Sequence, residues 1–277
     1  MVKLLICGAA GMLGEDVARA AELADHQVLA TDRTSLDVTD SEAVALRVER
    51  ERPDAVVNCA AYTDVDGAER EPEAAMWVNA GGARNVAAAA GRAGASVLYL
   101  STDYVFDGSK EEAYLESDDP NPLGSYGASK LAGEIETAAM NPRHHVVRTS
   151  WLFGIAGRNF VETMIELGAH QGEVTVVRDQ VGSPTYTAHL AEGIVRLVGT
   201  EAYGLHHMAA SGQCSWYDFA VAIFDRAGLS CKVLPTTTDE LGRPAPRPAH
   251  SVLETQRDDT VHLPDWRTGL DDYLAER

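Results

Sequence analysis

Lysine, and basic charge in general, is scarce in this chain of 277 residues. Its 23 basic residues, which include only four lysines, are outnumbered by 42 acidic ones, so the formal net charge is −19. Such a charge repels nucleic acids and anionic membrane surfaces, and we expect neither as a partner. The acidity has two open explanations: adaptation to high salt, where counterions screen self-repulsion, or an acidic cytosolic protein from a high-GC genome.

Cysteines and long apolar runs are also few. The four cysteines form no C-x-x-C pair, and none lies near a histidine at metal-ligand spacing. This fits a reducing compartment rather than a fold built on disulfides or zinc. No apolar run reaches 18 residues, and the start of the chain does not resemble a secretory signal,. We therefore expect a cytoplasmic protein that folds around its own hydrophobic core.

The first half of the chain alternates short apolar runs with segments of helical length. Strands are predicted at 2–7, 27–31, 54–59, 96–100 and 145–149. Helices are predicted up to residue 23, up to residue 50, and at 72–93 and 123–140. Alternation of this kind predicts β-α-β units, and so an α/β fold with a Rossmann-like, doubly wound parallel sheet.

Beyond about residue 151 this alternation becomes less regular. Helices are predicted at 158–169, 188–198 and 215–227 and near 269–275, with strands at 173–177 and 204–208. We expect two parts: residues 1–150 as the sheet domain and residues 151–277 as a smaller, substrate-binding lobe. Some segments of the second part can return to the first.

A turn punctuated by glycine follows the first predicted strand and opens the first helix. The segment GAAGMLG at 8–14 contains Gly8, Gly11 and Gly14. Glycine lets the backbone turn tightly and approach a pyrophosphate, which then lies on the helix N-terminus. The placement predicts that residues 1–150 bind a dinucleotide such as NAD(P).

The end of the second predicted strand carries two charges of opposite sign. An acid about 20 residues beyond the glycines, here Asp32, typically binds the adenosine ribose and favours NAD(H). A neighbouring arginine, here Arg33, can instead bind the 2′-phosphate of NADP(H). The residues alone leave this choice open.

A Y-x-x-x-K pattern, Tyr126 to Lys130, falls within the predicted helix at 123–140. Residues i and i+4 share a helix face, so the Lys130 ammonium is expected to lower the Tyr126 pKa towards neutrality. Upstream, the segment STDYVFDG at 101–108 follows a buried strand, where open parallel sheets bind their ligands,. A hydroxyl group there can hydrogen-bond to a substrate carbonyl.

These motifs resemble the dTDP-4-dehydrorhamnose reductase family, within the extended branch of the short-chain dehydrogenase/reductase superfamily. The similarity spans almost the whole chain. The matching segments are CGAAGMLG at 7–14, VNCAAYTDVDGAE at 57–69, STDYVFDG at 101–108, YGASKLAGE at 126–134, RTSWLFG at 148–154, DQVGSPT at 179–185 and RPAHSVL at 247–253.

The resemblance implies roles for individual residues. The implied catalytic residues are Thr102, Tyr126 and Lys130. Together with the glycines and Arg33 named above, the expected cofactor contacts are Gly8, Gly11, Met12, Leu13, Gly14, Asp32, Arg33, Asp37, Val38, Ala61, Tyr62, Thr63, Leu100, Tyr126 and Lys130. The expected substrate contacts are Thr102, Asp103, Trp151 and Arg247. Trp151 offers a flat apolar face, and Arg247 a planar fork suited to a diphosphate.

The implied activity is the NADPH-dependent reduction of a nucleotide-linked 4-keto-6-deoxy sugar, with NADH as a second option for the cofactor. The expected reaction converts dTDP-4-dehydro-L-rhamnose to dTDP-L-rhamnose for cell-surface polysaccharide. Two alternatives stay open: another nucleotide-sugar reductase or epimerase of this superfamily, and a non-catalytic NADP-binding regulatory subunit. We expect a monomer or homodimer. We expect no metal, because Asp16 finds no second carboxylate in the segment 187–189.

Overall fold

The fold is described from a computed structural model that covers all 277 residues. The strands are β1 Lys3–Cys7, β2 Gln27–Thr31, β3 Ala55–Asn58, β4 Ser96–Thr102, β5 His144–Thr149, β6 Leu152–Phe153, β7 Glu173–Val177, β8 Val181–Gly182, β9 Thr185–Tyr186, β10 Gly204–His207, β11 Ala210–Ser211, β12 Cys214–Ser215, β13 Lys232–Thr236 and β14 Leu263–Asp265. The α-helices are α1 Met12–Leu23, α2 Ser41–Glu51, α3 Val65–Arg70, α4 Pro72–Met76, α5 Ala83–Arg92, α6 Ser125–Met140, α7 Phe160–His170, α8 Thr187–Val198, α9 Trp216–Ala227, α10 Thr238–Leu241 and α11 Trp266–Glu276. None of the helices is long and apolar enough to cross a membrane.

Six parallel strands form the main sheet, in the order β10-β5-β4-β3-β1-β2. Successive side chains of a strand point to opposite faces. Leu4 and Ile6 accordingly pack with α1 and α8, whereas Leu5 and Cys7 pack with α2 and α5. Covering both faces with helices favours strands with apolar centres, as the runs LLIC in β1, AVV in β3 and VLYL in β4 show. The predicted α/β fold with a doubly wound parallel sheet is confirmed.

The strand order reverses between β1 and β3, from which the chain moves outward in both directions. In open α/β sheets, ligands bind beyond the carboxyl ends of the strands at such a point. The ends of β1, β2, β3 and β4 therefore define where a site is expected.

The predicted helix at 72–93 is interrupted. Pro72 starts α4, and a π-helical turn over Trp77–Gly82 separates it from α5. A Cβ on Gly82 would lie 2.7 Å from the Val38 side chain, so this turn packs closely on the loop after β2. Sequence periodicity does not register one wide turn in an otherwise helical segment. It also did not predict the short helix α3 or the strand β13.

Two segments of the second half return to the main sheet. Strand β10 pairs in parallel with β5, and α8 packs against α1. The remaining elements form a second core, in which α7, α9 and α11 pack around the parallel pair β7 and β13. The smaller lobe is therefore discontinuous in sequence, and a partition at residue 150 stays a prediction.

A buried ion pair joins β5 to α6. The Arg148 guanidinium donates two hydrogen bonds to Glu134, from Nε to Oε1 at 2.9 Å and from Nη2 to Oε2 at 2.7 Å. The two side chains are only 3% and 8% exposed. The Ser101 hydroxyl on β4 donates to the same carboxylate. Glu134 therefore fixes α6 against two central strands.

We predict that Arg148→Met lowers the free energy of unfolding by about 3–5 kcal/mol, because it leaves a buried carboxylate without its cation. The double variant Arg148→Met/Glu134→Leu should recover most of that loss, because it removes both charges together. Urea denaturation of the three proteins measures this. A single variant within about 1 kcal/mol of the parent would show that the pair is not effectively desolvated.

Candidate active site

A cleft of about 760 Å³ opens at the carboxyl ends of the central strands. Every cofactor contact expected from the sequence lines this cleft, and so do Thr102, Asp103 and Trp151 among the expected substrate contacts. Arg247 does not. The cleft also contains residues that the sequence did not single out, among them Val78, Arg158 and Trp216.

The glycine turn forms the floor of the cleft at the end of β1. Gly8 has a φ of +78°, in the region that favours glycine,. A Cβ on Gly14 would lie 2.2 Å from the Gly8 carbonyl oxygen, so α1 can start this close to the turn only with glycine there. Gly11 caps α1 without a side-chain hydrogen bond, which leaves the first amides of the helix available,. These features fit the pyrophosphate of a dinucleotide.

Asp32, at the end of β2, organises the loop that follows it. Its Oδ1 accepts hydrogen bonds from the backbone amides and hydroxyls of Thr34 and Ser35, at 2.8–3.1 Å. These bonds, the Ser35 hydroxyl first, lower the Asp32 pKa to about 2. The neighbouring Arg33 side chain is 89% exposed, and its only ionic partner is Asp37, 3.9 Å away. One oxygen of the Asp32 carboxylate is thus occupied by hydrogen bonds within its own loop. The Arg33 guanidinium has only the long contact to Asp37 and can bind an anion.

Thr102 and Tyr126 meet at the end of β4. The Thr102 hydroxyl donates to Asp103 Oδ1 at 3.1 Å and accepts from the Tyr104 amide at 3.2 Å. Tyr126, on α6, is half-buried. Desolvation and then the nearby Asp103 raise the Tyr126 pKa to about 12, and the Thr102 hydroxyl acts in the opposite direction. Tyr126 is therefore protonated at neutral pH, and its hydroxyl carries a proton at the end of β4.

Lys130 does not act on Tyr126 as the sequence suggested. Its side chain is buried, and Nζ donates to the Leu100 carbonyl at 2.5 Å and lies 4.3 Å from the centre of the Tyr99 ring. Burial lowers the Lys130 pKa to about 7, against the opposing charge of Glu134. The expectation that this ammonium brings the Tyr126 pKa towards neutrality is wrong for this structure, because desolvation of the phenol dominates.

Asp103 connects this group to the C-terminal part of the chain. It is 2% exposed, and the Ser251 hydroxyl donates to its Oδ2 at 2.6 Å. Burial raises the Asp103 pKa to about 7, although both hydroxyl partners lower it. The segment 247–253 is thereby fixed directly behind the Thr102 hydroxyl.

A stacked pair of indole rings forms the opposite wall. Trp151 has a φ of +47°, and its ring lies parallel to that of Trp216, with centroids 3.6 Å apart and planes at 5°. A flat apolar wall of this kind can pack on a sugar or a base. Trp151 was expected from the sequence, but Trp216 was not. The two residues are far apart in the chain, and no local pattern predicts that they stack.

Arg247 takes a different place from the one expected. Its Nη2 lies 3.0 Å from Asp66 Oδ1, and its Nη1 donates to the Ala245 carbonyl at 2.9 Å. The side chain is 12% exposed. Its guanidinium therefore holds the loop 245–248 against α3. It also acts on Tyr104, which lines the cleft, and a substrate contact of Arg247 stays a prediction.

Asn79 was also missed, although it is fully buried in the π-helical turn. Its Oδ1 accepts from the Tyr62 amide at 2.8 Å, and its Nδ2 donates to the Tyr62 carbonyl at 3.1 Å and to Ser129 Oγ at 2.9 Å. One side chain thus ties the loop 61–63, expected over the cofactor, to the helix of Tyr126 and Lys130. An asparagine in an alanine-rich apolar helix was the available signal.

The residues considered for a metal are engaged otherwise. Asp16 lies 3.0 Å from the Arg19 guanidinium, and His189 Nε2 lies 2.9 Å from Asp272. No group of three or more histidine, cysteine, aspartate or glutamate side chains is arranged to hold a metal ion. The absence of a metal stays a prediction.

Comparison with known proteins agrees with this arrangement. Residues 2–277 match the model of the RmlD substrate binding domain family. The chain is 40% identical to the spore coat polysaccharide biosynthesis protein SpsK of Bacillus subtilis over 279 residues, which cover 100% of this chain and 98% of that protein. It is 42% identical over 280 residues to the dTDP-4-dehydrorhamnose reductase of Mycolicibacterium smegmatis, covering 99% and 85%.

Among solved structures, dTDP-4-dehydrorhamnose reductase from Bacillus anthracis, in complex with NADP, superposes with a TM-score of 0.97. The two sequences are 41% identical, and the match covers 100% of both chains. The resemblance seen in the sequence motifs is thus confirmed at the level of the whole chain. The protein belongs to the dTDP-4-dehydrorhamnose reductase family.

Proposed function

We propose that this protein uses NADPH to reduce the C4 ketone of a nucleotide-linked 4-keto-6-deoxy sugar, converting dTDP-4-dehydro-L-rhamnose to dTDP-L-rhamnose. The observation that carries the proposal is the composition of one cleft. It contains a dinucleotide turn, the group Thr102, Tyr126 and Lys130, and an aromatic wall beside them. An intact set of proton-transfer groups argues against a purely regulatory, non-catalytic role.

NADPH, when bound, supplies the hydride for C4 of the sugar. The protein's part is to hold the ketone and to supply the proton that balances the transfer. The Thr102 hydroxyl, 7% exposed at the end of β4, orients the carbonyl oxygen. The Tyr126 hydroxyl, protonated because its pKa is about 12, donates the proton to the developing alkoxide,. Hydride and proton together give the secondary alcohol.

Lys130 helps to position the cofactor. Its Nζ is held at the carbonyl of Leu100, and both residues are expected cofactor contacts. With a pKa of about 7, the group exchanges a proton close to neutrality.

Every side chain named above comes from one chain. We propose that the protein acts as a monomer or a homodimer. We infer a cytoplasmic enzyme that feeds an activated deoxysugar into polysaccharide synthesis.

The direct test is NADPH oxidation, followed at 340 nm, with a panel of 4-keto sugar nucleotides that differ in base and sugar. We expect turnover with dTDP-4-dehydro-L-rhamnose to exceed turnover with the other sugars. Fast turnover of a different ketone would replace the substrate assignment. No turnover with any member, despite tight NADPH binding, would favour the regulatory role.

Tyr126→Phe should lower kcat by about 10²–10⁴-fold, because it removes the proton donor and keeps the ring. The dissociation constant for NADPH should change little. Tyr203→Phe is the matched control, since that hydroxyl accepts from Arg143 at the amino ends of β5 and β10, opposite the end that carries the cleft. Turnover of the Tyr126 variant close to that of the control would reject Tyr126 as the acid.

Arg33→Ala should weaken binding of NADPH more than that of NADH, because only NADPH carries the 2′-phosphate that the free guanidinium can bind. We expect the NADPH/NADH affinity ratio to fall by at least about tenfold, in keeping with a lost charged hydrogen bond. Titration of the quenching of protein fluorescence measures both constants. An equal loss for the two cofactors would show that Arg33 is not the phosphate partner.

A further inference from the structure

The cleft must hold two diphosphates if the proposed function is correct, one from the cofactor and one from the sugar nucleotide. The glycine turn and the start of α1 serve the first. The net charge of −19 repels an anion,. The diphosphate of the sugar nucleotide therefore needs a basic side chain close to it. The cleft contains three basic side chains, Arg33, Lys130 and Arg158.

Two of these three are unsuited to the sugar nucleotide. Arg33 follows β2, at the adenosine end of the cleft, beside Asp37. Lys130 is 3% exposed and donates to the Leu100 carbonyl. Arg247, which the sequence suggested for a diphosphate, lies behind Tyr104 and does not itself line the cleft, and its guanidinium is paired with Asp66. Arg158 is the remaining cation, and it is exposed with no hydrogen-bond or ionic partner in the protein.

The position of Arg158 places it beside the aromatic wall. The chain reaches it from Trp151 through β6 and the loop 154–157. The next residue, Asn159, is 8% exposed and anchors that loop: its Nδ2 donates to the Gly154 carbonyl at 2.7 Å, and its Oδ1 accepts from the Glu162 amide at 3.1 Å. The arginine therefore projects from a fixed base.

We infer that Arg158 binds the diphosphate of the nucleotide-sugar substrate, next to the stacked rings of Trp151 and Trp216. The inference rests on the proposed function and extends it by naming the residue that selects a nucleoside diphosphate. The planar guanidinium can donate two parallel hydrogen bonds to phosphate oxygens. No other unpaired cation in the cleft lies on this side.

The test compares binding of dTDP, dTMP and thymidine, which differ only in phosphate number. Isothermal titration is done with the NADP-bound protein and with the variants Arg158→Gln and Arg158→Lys. Arg178→Gln is the matched control, because Arg178 is exposed, unpaired and outside the cleft. We expect Arg158→Gln to weaken dTDP by about 10- to 100-fold, the usual range for a lost charged hydrogen bond. Thymidine binding should stay within about twofold of the parent, because thymidine carries no phosphate for Arg158 to bind.

Arg158→Lys should restore part of the dTDP affinity, because it keeps the charge but loses the fork. In turnover, Arg158→Gln should raise KM for the sugar nucleotide with little change in kcat. An unchanged ratio of dTDP to thymidine affinity would overturn the inference, and so would a loss confined to NADPH. Because binding of dTDP needs no turnover, failure of the substrate panel and failure of Arg158 give separate results.

Discussion

The contact between the end of β4 and one face of α6 is the constraint on which the site depends. Tyr126, Lys130 and Glu134 recur every four residues along α6, so all three lie on the same face. Opposite them, Leu100, Ser101 and Thr102 are successive residues of β4. Lys130 donates to the Leu100 carbonyl, and Glu134 accepts from the Ser101 hydroxyl. Tyr126 lies beside the Thr102 hydroxyl. A shift of α6 by one turn would break all three contacts together.

The ion pair between Arg148 and Glu134 extends this contact to β5, and Asn79 extends it to the loop over the cofactor. Both depend on burial, because these side chains find their hydrogen-bond partners in one another in a region that excludes water. The same burial shifts both pKa values in the site, because it disfavours the charged form of each group: it raises the Tyr126 pKa and lowers the Lys130 pKa,. Packing and chemistry therefore have one physical cause here.

Local patterns were sufficient for the sheet, the glycine turn and the pair Tyr126 and Lys130, whereas most of the other expected cofactor contacts came from the family resemblance. The glycine turn could be placed because Gly8 and Gly14 are needed where backbones meet closely, and Tyr126 and Lys130 because helix periodicity puts them together. Trp216 could not be foreseen, because its stacking on Trp151 is set by the packing of α9 and not by spacing in the chain. The ion pair between Arg247 and Asp66 could not be predicted either, since it joins the C-terminal loop 245–248 to α3. The sign of the Tyr126 pKa shift required knowing how deeply the phenol is enclosed.

Direct transfer of hydride within this one cleft is the central claim, and isotopic labelling tests it most directly. The protein is incubated with dTDP-4-dehydro-L-rhamnose and NADPH that carries deuterium on one or the other face of the nicotinamide C4, in separate reactions. The account predicts that one of the two labelled cofactors places a single deuterium at C4 of the sugar for each NADPH oxidised, and that the other places none. Oxidation of NADPH with no label at the sugar C4 from either cofactor would contradict it.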